Sequence, residues 1–262
     1  MANPVDCWLK SNDLRVNCPL FELRQRKNGR PLLVGHRGAM AVAPENTIPA
    51  FEAGLAGGAD ILELDVQRTA DNQIIVFHDT WLEAKTGEPG MVQDYPAQFL
   101  QSLDVGAYFD EKFTGTAMPL LDEVLTWAQK RTPLMIELKH GPLFDPPLDE
   151  AVVRLIEDHG MVDNVVITSF DQFALQRVKR HNANLATSLI YIGRFLNPLA
   201  LVEGMDIDAL SPATNFMTQD EVKLIQNAGY ACSPGGFYWD YPTLISWGVD
   251  SISSNDPGSV QF

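Results

Sequence analysis

Residues 61–79 read I-L-E-L-D-V-Q-R-T-A-D-N-Q-I-I-V-F-H-D. Two apolar, sheet-forming runs stand on either side of the seven residues 67–73. A parallel crossover needs roughly a dozen residues or more, so the second run has to fold back on the first as a hairpin. That reading decides the fold. The chain offers strand-like runs near 31–35, 60–66, 74–78, 133–138, 164–169, 185–191, 207–211, 230–233 and 249–253, one more than an eight-stranded barrel holds. Removing 74–78 as the return strand leaves eight parallel candidates. Helical patterns at 47–57, 120–130, 148–159, 171–182, 196–204, 218–228 and 241–247 fall between most of them, often closed by Gly or Asn. The expected fold is α/β, a (β/α)8 TIM barrel with one antiparallel hairpin after the second strand.

Working outward, the connection from Thr80 to Met118 is too long for a simple strand-to-helix link. It carries Trp81, Tyr95, Phe99, Tyr108, Phe109 and Phe113, and is expected to lie as a small insertion over the barrel mouth, selecting the leaving part of a substrate. Residues 1–30 read as an N-terminal extension that caps the barrel bottom. No repeat or low-complexity linker divides the chain, so 1–262 is expected to form a single domain.

The chain has 262 residues and a formal net charge of −15. An acidic balance of this size argues against nucleic acid or a stable membrane association, since both need a positive face. It also means that an anionic substrate must be attracted locally. No apolar run approaches the length of a membrane span, and charges at Asp6, Lys10, Asp13 and Arg15 break up any signal-peptide core. Cys7, Cys18 and Cys232 are odd in number and form no C-x-x-C, which suits free thiols in the cytoplasm, with a Cys7–Cys18 bridge as the less favoured alternative.

Residues two apart in a strand share a face, so Glu63 and Asp65 project together, as do Glu137 and Lys139. In a barrel the C-terminal strand ends converge at one mouth, and His36–Arg37 would join them there, with His78 brought alongside by the hairpin. Each group alone is ordinary: a strand-end His usually makes a structural hydrogen bond, and an E-x-D pair is often an exposed edge. Inward-pointing charges are expensive unless paired or bound to metal, and their convergence is what a purely structural account fails to explain. Three carboxylates against Arg37 and Lys139 leave one excess negative charge; one divalent cation reverses it. An all-carboxylate set favours Mg2+ or Ca2+, with Mn2+ also suitable. The histidines are then free for proton transfer. Glu45 and Asn46 read either as supporting residues of this site or as the cap of the helix near Thr47.

Together, H-R-G at 36–38, P-E-N-T at 44–47, G-A-D at 58–60, E-L-D-V at 63–66, F-H-D at 77–79, I-E-L-K at 136–139, I-T-S-F-D at 167–171 and G-V-D-S-I-S-S-N-D-P at 248–257 resemble the glycerophosphodiester phosphodiesterase family. The resemblance runs from about Leu32 to Pro257. It implies a metal-dependent TIM-barrel hydrolase that converts glycerophosphodiesters to an alcohol and sn-glycerol 3-phosphate. By position, Glu63, Asp65 and Glu137 would ligate the metal, His36 and His78 would be the acid/base pair, and Arg37 and Lys139 would contact the phosphate.

The chain departs from the family pattern in three places. Ser254-Asn255-Asp256-Pro257 stands for T-D-x-P, Leu82-Glu83-Ala84-Lys85-Thr86 for L-x-R-T, and Ala231-Cys232-Ser233-Pro234-Gly235-Gly236 for a tryptophan-bearing strand. Two other readings compete with the first. One is a phospholipase D-like or phosphoinositide-cleaving relative acting on lysolipids, which needs an apolar rim. The other is a non-catalytic binding barrel, which would have no use for two histidines and three carboxylates.

Overall fold

The computed structural model describes residues 29–139, 147–236 and 240–262. Cys7, Cys18 and nearly all of the expected 1–30 extension lie outside them. Among the described residues nine strands form one sheet: β1 (Leu32–Gly35), β2 (Ile61–Arg68), β3 (Ile74–Val76), β4 (Leu134–Leu138), β5 (Val165–Ser169), β6 (Ala186–Tyr191), β7 (Ala209–Pro212), β8 (Ala231–Cys232) and β9 (Ser251–Ser254). The order is β8-β7-β6-β5-β4-β2-β1-β9, all parallel, and β3 pairs antiparallel with β2 alone. Val66 opposes Val76 and Arg68 opposes Ile74, which is the hairpin read from residues 67–73. At the seam between β8 and β9, Asp250 N–H donates to Cys232 O at 2.9 Å. This is the expected TIM barrel.

Helices α1 (Ile48–Ala56), α2 (Glu83–Thr86), α3 (Ala97–Gln101), α4 (Leu121–Ala128), α5 (Pro147–Asp158), α6 (Gln172–His181), α7 (Gln219–Asn227) and α8 (Tyr241–Trp247) occupy the connections. In α4 the buried residues are Leu121, Val124, Leu125 and Ala128, a single apolar stripe that faces the sheet. One expected helix is absent. Residues 196–204 form only a 3-10 turn, Pro198–Val202, because Pro198 fixes the start and Gly204, at φ 76°, ends the run after one turn.

The barrel interior is layered. Val34, Ile61, Met135, Val166, Ala186, Ala209 and Ala231 form an apolar plug near its floor. One pleat nearer the mouth, β2 and β4 present Glu63 and Glu137, whereas β5 to β8 present Thr168, Ser188, Ser211 and the adjoining Ser233. One half of the wall is thus charged and the other is built of small residues. At the bottom, Asp60, Asp208 and Asp250 stand just before β2, β7 and β9. Their carboxylates accept the backbone N–H of Leu33, Thr187 and Cys232 at 2.8, 2.9 and 2.8 Å, pinning each strand to its neighbour.

Segment 80–118 packs on a core of its own, made by Ile75, Phe77, Leu82, Val92, Leu100, Val105 and Met118. Tyr95 stacks on Phe99 at 4.6 Å, and Phe109 meets Phe113 edge-on at 5.7 Å. Most of its aromatics therefore hold the segment together. Lys85 and Tyr108 reach toward the barrel mouth.

Candidate active site at the barrel mouth

The loop leaving β1 sets the site's geometry. Arg37 adopts φ 48° and Gly38 φ 85°; a Cβ on Gly38 would lie 2.5 Å from the Ala50 carbonyl carbon, so only glycine fits there. The left-handed turn aims Arg37 N–H at Glu63 Oε2, 2.7 Å away. It also leaves the guanidinium between Glu45 Oε1 at 2.7 Å and Asp65 Oδ2 at 3.3 Å. Asn46, at φ 59°, is held by its N–H to Arg37 O. Its amide donates to Asp65 Oδ2 at 2.8 Å and accepts Asp65 N–H at 3.1 Å, a two-way clamp that a carboxylate at position 46 could not make. The N-cap of α1 is Thr47, not Asn46.

Glu63, Asp65 and Glu137 are all buried, and each offers a ligand oxygen within 4.8 Å of the others. Lys139 pairs with Asp65 Oδ1 at 3.3 Å and more closely with Glu137. Burial first, then repulsion from Asp65 and Glu137, pushes the Glu63 carboxyl well above its usual range. Glu137 is raised by burial and by Asp65. Burial also opposes ionisation of Asp65, but Lys139 and Arg37 outweigh it and hold that group down to about 2. Glu137 Oε1 is buried and faces the Lys139 ammonium. Buried carboxylates this close, two of them resisting ionisation, suit an oxygen-seeking divalent ion.

The two histidines flank this cluster in different settings. His36 Nδ1 lies 2.6 Å from Asn255 Oδ1, and Nε2 is 4.0 Å from Glu63 Oε2. With Nδ1–H donating to the amide oxygen, Nε2 carries the lone pair. Burial first, then the Arg37 charge, lowers the His36 pKa, so the ring is neutral near pH 7. His78 Nδ1 lies 2.7 Å from Asp79 Oδ1. Asp79 is held ionised by its hydrogen bond with His78, and its other oxygen meets Lys85 Nζ at 2.9 Å. Lys85 also reaches Glu45 Oε1 at 2.6 Å, so this lysine ties the Arg37 side of the site to the His78 side.

These groups open into a cavity of about 470 Å3 lined by His36, Arg37, Glu63, His78, Glu137 and Lys139 on one side. Met40, Thr168, Phe170, Ile190, Ile192, Ser211, Ala213, Ser233 and Asn255 also line it. All nine residues singled out in the sequence come together around this mouth: seven by their mutual contacts at Glu63, Asp65 and Glu137, Glu45 through Arg37, and His78 as part of the wall.

A family model described as the glycerophosphoryl diester phosphodiesterase family matches residues 36–259. The chain belongs to this family. A glycerophosphodiester phosphodiesterase of Caldanaerobacter subterraneus subsp. tengcongensis is 32% identical over 88% of this chain and 96% of its own length. A Bacillus subtilis protein of the same description is 29% identical, covering 87% and 84%. Among solved structures, an Oleispira antarctica phosphodiesterase in complex with the product sn-glycerol-3-phosphate superposes with a TM-score of 0.83 at 25% identity, covering 89% of this chain and 96% of that one. The Agrobacterium tumefaciens glycerophosphodiester phosphodiesterase gives 0.73 at 26%, covering 87% and 97%. The expected enzyme class, a phosphoric diester hydrolase, stands.

Sequence reading gave no role to Asp79, Lys85, Asn255 or Thr168. Asp79 was visible in the H-D pair. Lys85 and Asn255 occupy departures from the family pattern: Asn255 stands at the aspartate of T-D-x-P and accepts the His36 hydrogen bond without a full charge.

Proposed function

We propose that this family member hydrolyses glycerophosphodiesters to an alcohol and sn-glycerol 3-phosphate, using one divalent cation and the pair His36 and His78. The observation that carries the reading is the buried carboxylate triad beside a cavity that both histidines line, each anchored through its Nδ1. Glu63, Asp65 and Glu137 would hold the cation, Mg2+ or Ca2+ by their all-oxygen chemistry, and it would supply positive charge against the phosphate oxygens. Arg37 and Lys139 add fixed positive charge beside them and orient the diester. His36, neutral with its Nε2 lone pair toward the cavity, takes the proton of the attacking hydroxyl. His78, backed by the anionic Asp79, delivers a proton to the leaving oxygen. Release of sn-glycerol 3-phosphate from glycerophosphocholine, measured with and without chelator, tests this. Turnover that survives complete metal removal would overturn the mechanism.

A second reading concerns the leaving group. Phe170, Ile192, Phe195, Leu196 and Phe216 are exposed on the connections after β5, β6 and β7. This apolar rim continues the cavity wall at Phe170 and Ile192 and suits a lysolipid chain. Among the described residues no helix is long and apolar enough to cross a membrane. We place the rest of the specificity in segment 80–118, through Lys85 and Tyr108. Burial and then the Glu45 charge raise the Tyr108 phenol to about 12, so it stays a neutral donor at the rim. Replacing 80–118 with a short linker should reorder glycerophosphocholine, glycerophosphoethanolamine and glycerophosphoglycerol. Ile192→Asp should instead depress turnover of a long-chain lysolipid more than that of glycerophosphocholine. An unchanged order in both variants would place selectivity elsewhere. A cytoplasmic setting agrees with the acidic sequence and the free, buried Cys232.

A further inference from the structure

Four hydroxyl side chains occupy the inner wall of β5 to β8, and they are not equivalent. Ser188 Oγ and Ser211 Oγ bond each other at 2.7 Å, and Ser233 Oγ bonds Ser251 Oγ at 2.5 Å. Among the described residues Thr168 Oγ1 has no hydrogen-bond partner, although the residue is only 2% exposed and lines the cavity. A buried hydroxyl is almost always satisfied in a folded protein, so an orphan on a cavity-lining residue marks a place where something polar binds.

Its position says what that is. Thr168 on β5 is the register partner of Glu137 on β4. Neighbouring strands stand about 4.8 Å apart, a distance that a three-carbon unit spans from a phosphate held beside Glu137 and Lys139. Depth argues for the half of the substrate that never varies: the orphan hydroxyl lies below the rim, whereas a variable leaving alcohol has to exit past Phe170 toward solvent. We infer that Thr168 is the specificity-determining anchor for the glycerol half of the diester, its hydroxyl pairing with a free glycerol hydroxyl. This rests on the glycerophosphodiester reading above.

The test compares sn-glycerol 3-phosphate with methyl phosphate, which keeps the phosphate and lacks the glycerol hydroxyls. Both are titrated by calorimetry into the metal-loaded wild type, Thr168→Val and Thr168→Ser. Valine keeps the shape and removes the hydroxyl. One neutral hydrogen bond corresponds to about tenfold in affinity. The valine variant should therefore bind sn-glycerol 3-phosphate about tenfold more weakly and methyl phosphate unchanged, while serine restores wild-type binding. The Tm of the valine variant should hold or rise, because no bond inside the protein is lost. Equal weakening of both ligands, or no weakening of either, overturns the inference; a fall in Tm assigns the hydroxyl to the fold instead. Failure of the functional reading is distinct: the wild type would then bind sn-glycerol 3-phosphate no better than methyl phosphate and release none from glycerophosphocholine.

Discussion

His36→Ala and His78→Ala should each lower turnover of glycerophosphocholine by ~10²–10⁴-fold, the span associated with losing one general acid or base. Both side chains are more than a quarter exposed at the mouth, and each makes one short side-chain bond, to Asn255 or Asp79. The Tm should therefore move little. The two variants should differ with the leaving group. A p-nitrophenyl ester leaves without protonation, so it should recover much of the rate in His78→Ala and little in His36→Ala. Recovery in the opposite variant would exchange the two roles. Near-full activity in either would remove that histidine from the chemistry.

The second large effect concerns the carboxylate cluster. Glu63→Gln and Asp65→Asn should raise the metal concentration needed for half-maximal activity by an order of magnitude or more, since each deletes an anionic ligand. pH separates the two. The folded pKa of Glu63 is raised, so in the metal-free enzyme this group lowers stability as pH climbs from the ordinary carboxylate range through the raised value. Metal binding must displace that proton, so affinity should increase with pH across the same window, and Glu63→Gln should flatten the dependence. Asp65 has the opposite sign. Held down to about 2, it contributes stability above its ordinary value near ~4 that is lost as pH falls toward 2. Calorimetry of Mg2+ or Ca2+ binding in buffers of different ionisation enthalpy would count the protons released; equal release in the wild type and Glu63→Gln would show that Glu63 gives up no proton to the ion.

Much of this was legible in sequence because strand alternation is a strong code. Glu63 and Asp65, and Glu137 and Lys139, could point to one side only if their strands were regular, and residues 67–73 were too few for anything but a hairpin. The partners of the histidines were harder to see. Asn255 meets His36 across 219 positions, and Lys85 meets Glu45 across 40, separations that no local pattern encodes. Thr168 was hidden for another reason: a threonine in a β-branched strand is ordinary, and only its lack of a partner makes it unusual. Which aromatics of 80–118 pack the segment and which face the mouth was not legible, because composition does not reveal which rings stack on each other. Residues 196–204 looked helical because their apolar content is right, but Pro198 and Gly204 leave room for a single turn.

Barrels of this type usually fill their interior with branched side chains. Here Ser211, Ala213 and Ser233 line one side of the mouth with small side chains, and the cavity of about 470 Å3 opens beside them. Each methylene added there would gain about 0.8 kcal/mol of burial, so the native sequence sits below the stability its own scaffold permits. Thermal tolerance and substrate room are therefore drawn from the same small wall. Lineages or laboratory selections that favour heat resistance without demanding turnover would be drawn to enlarge these side chains, and the enzyme would harden by closing itself.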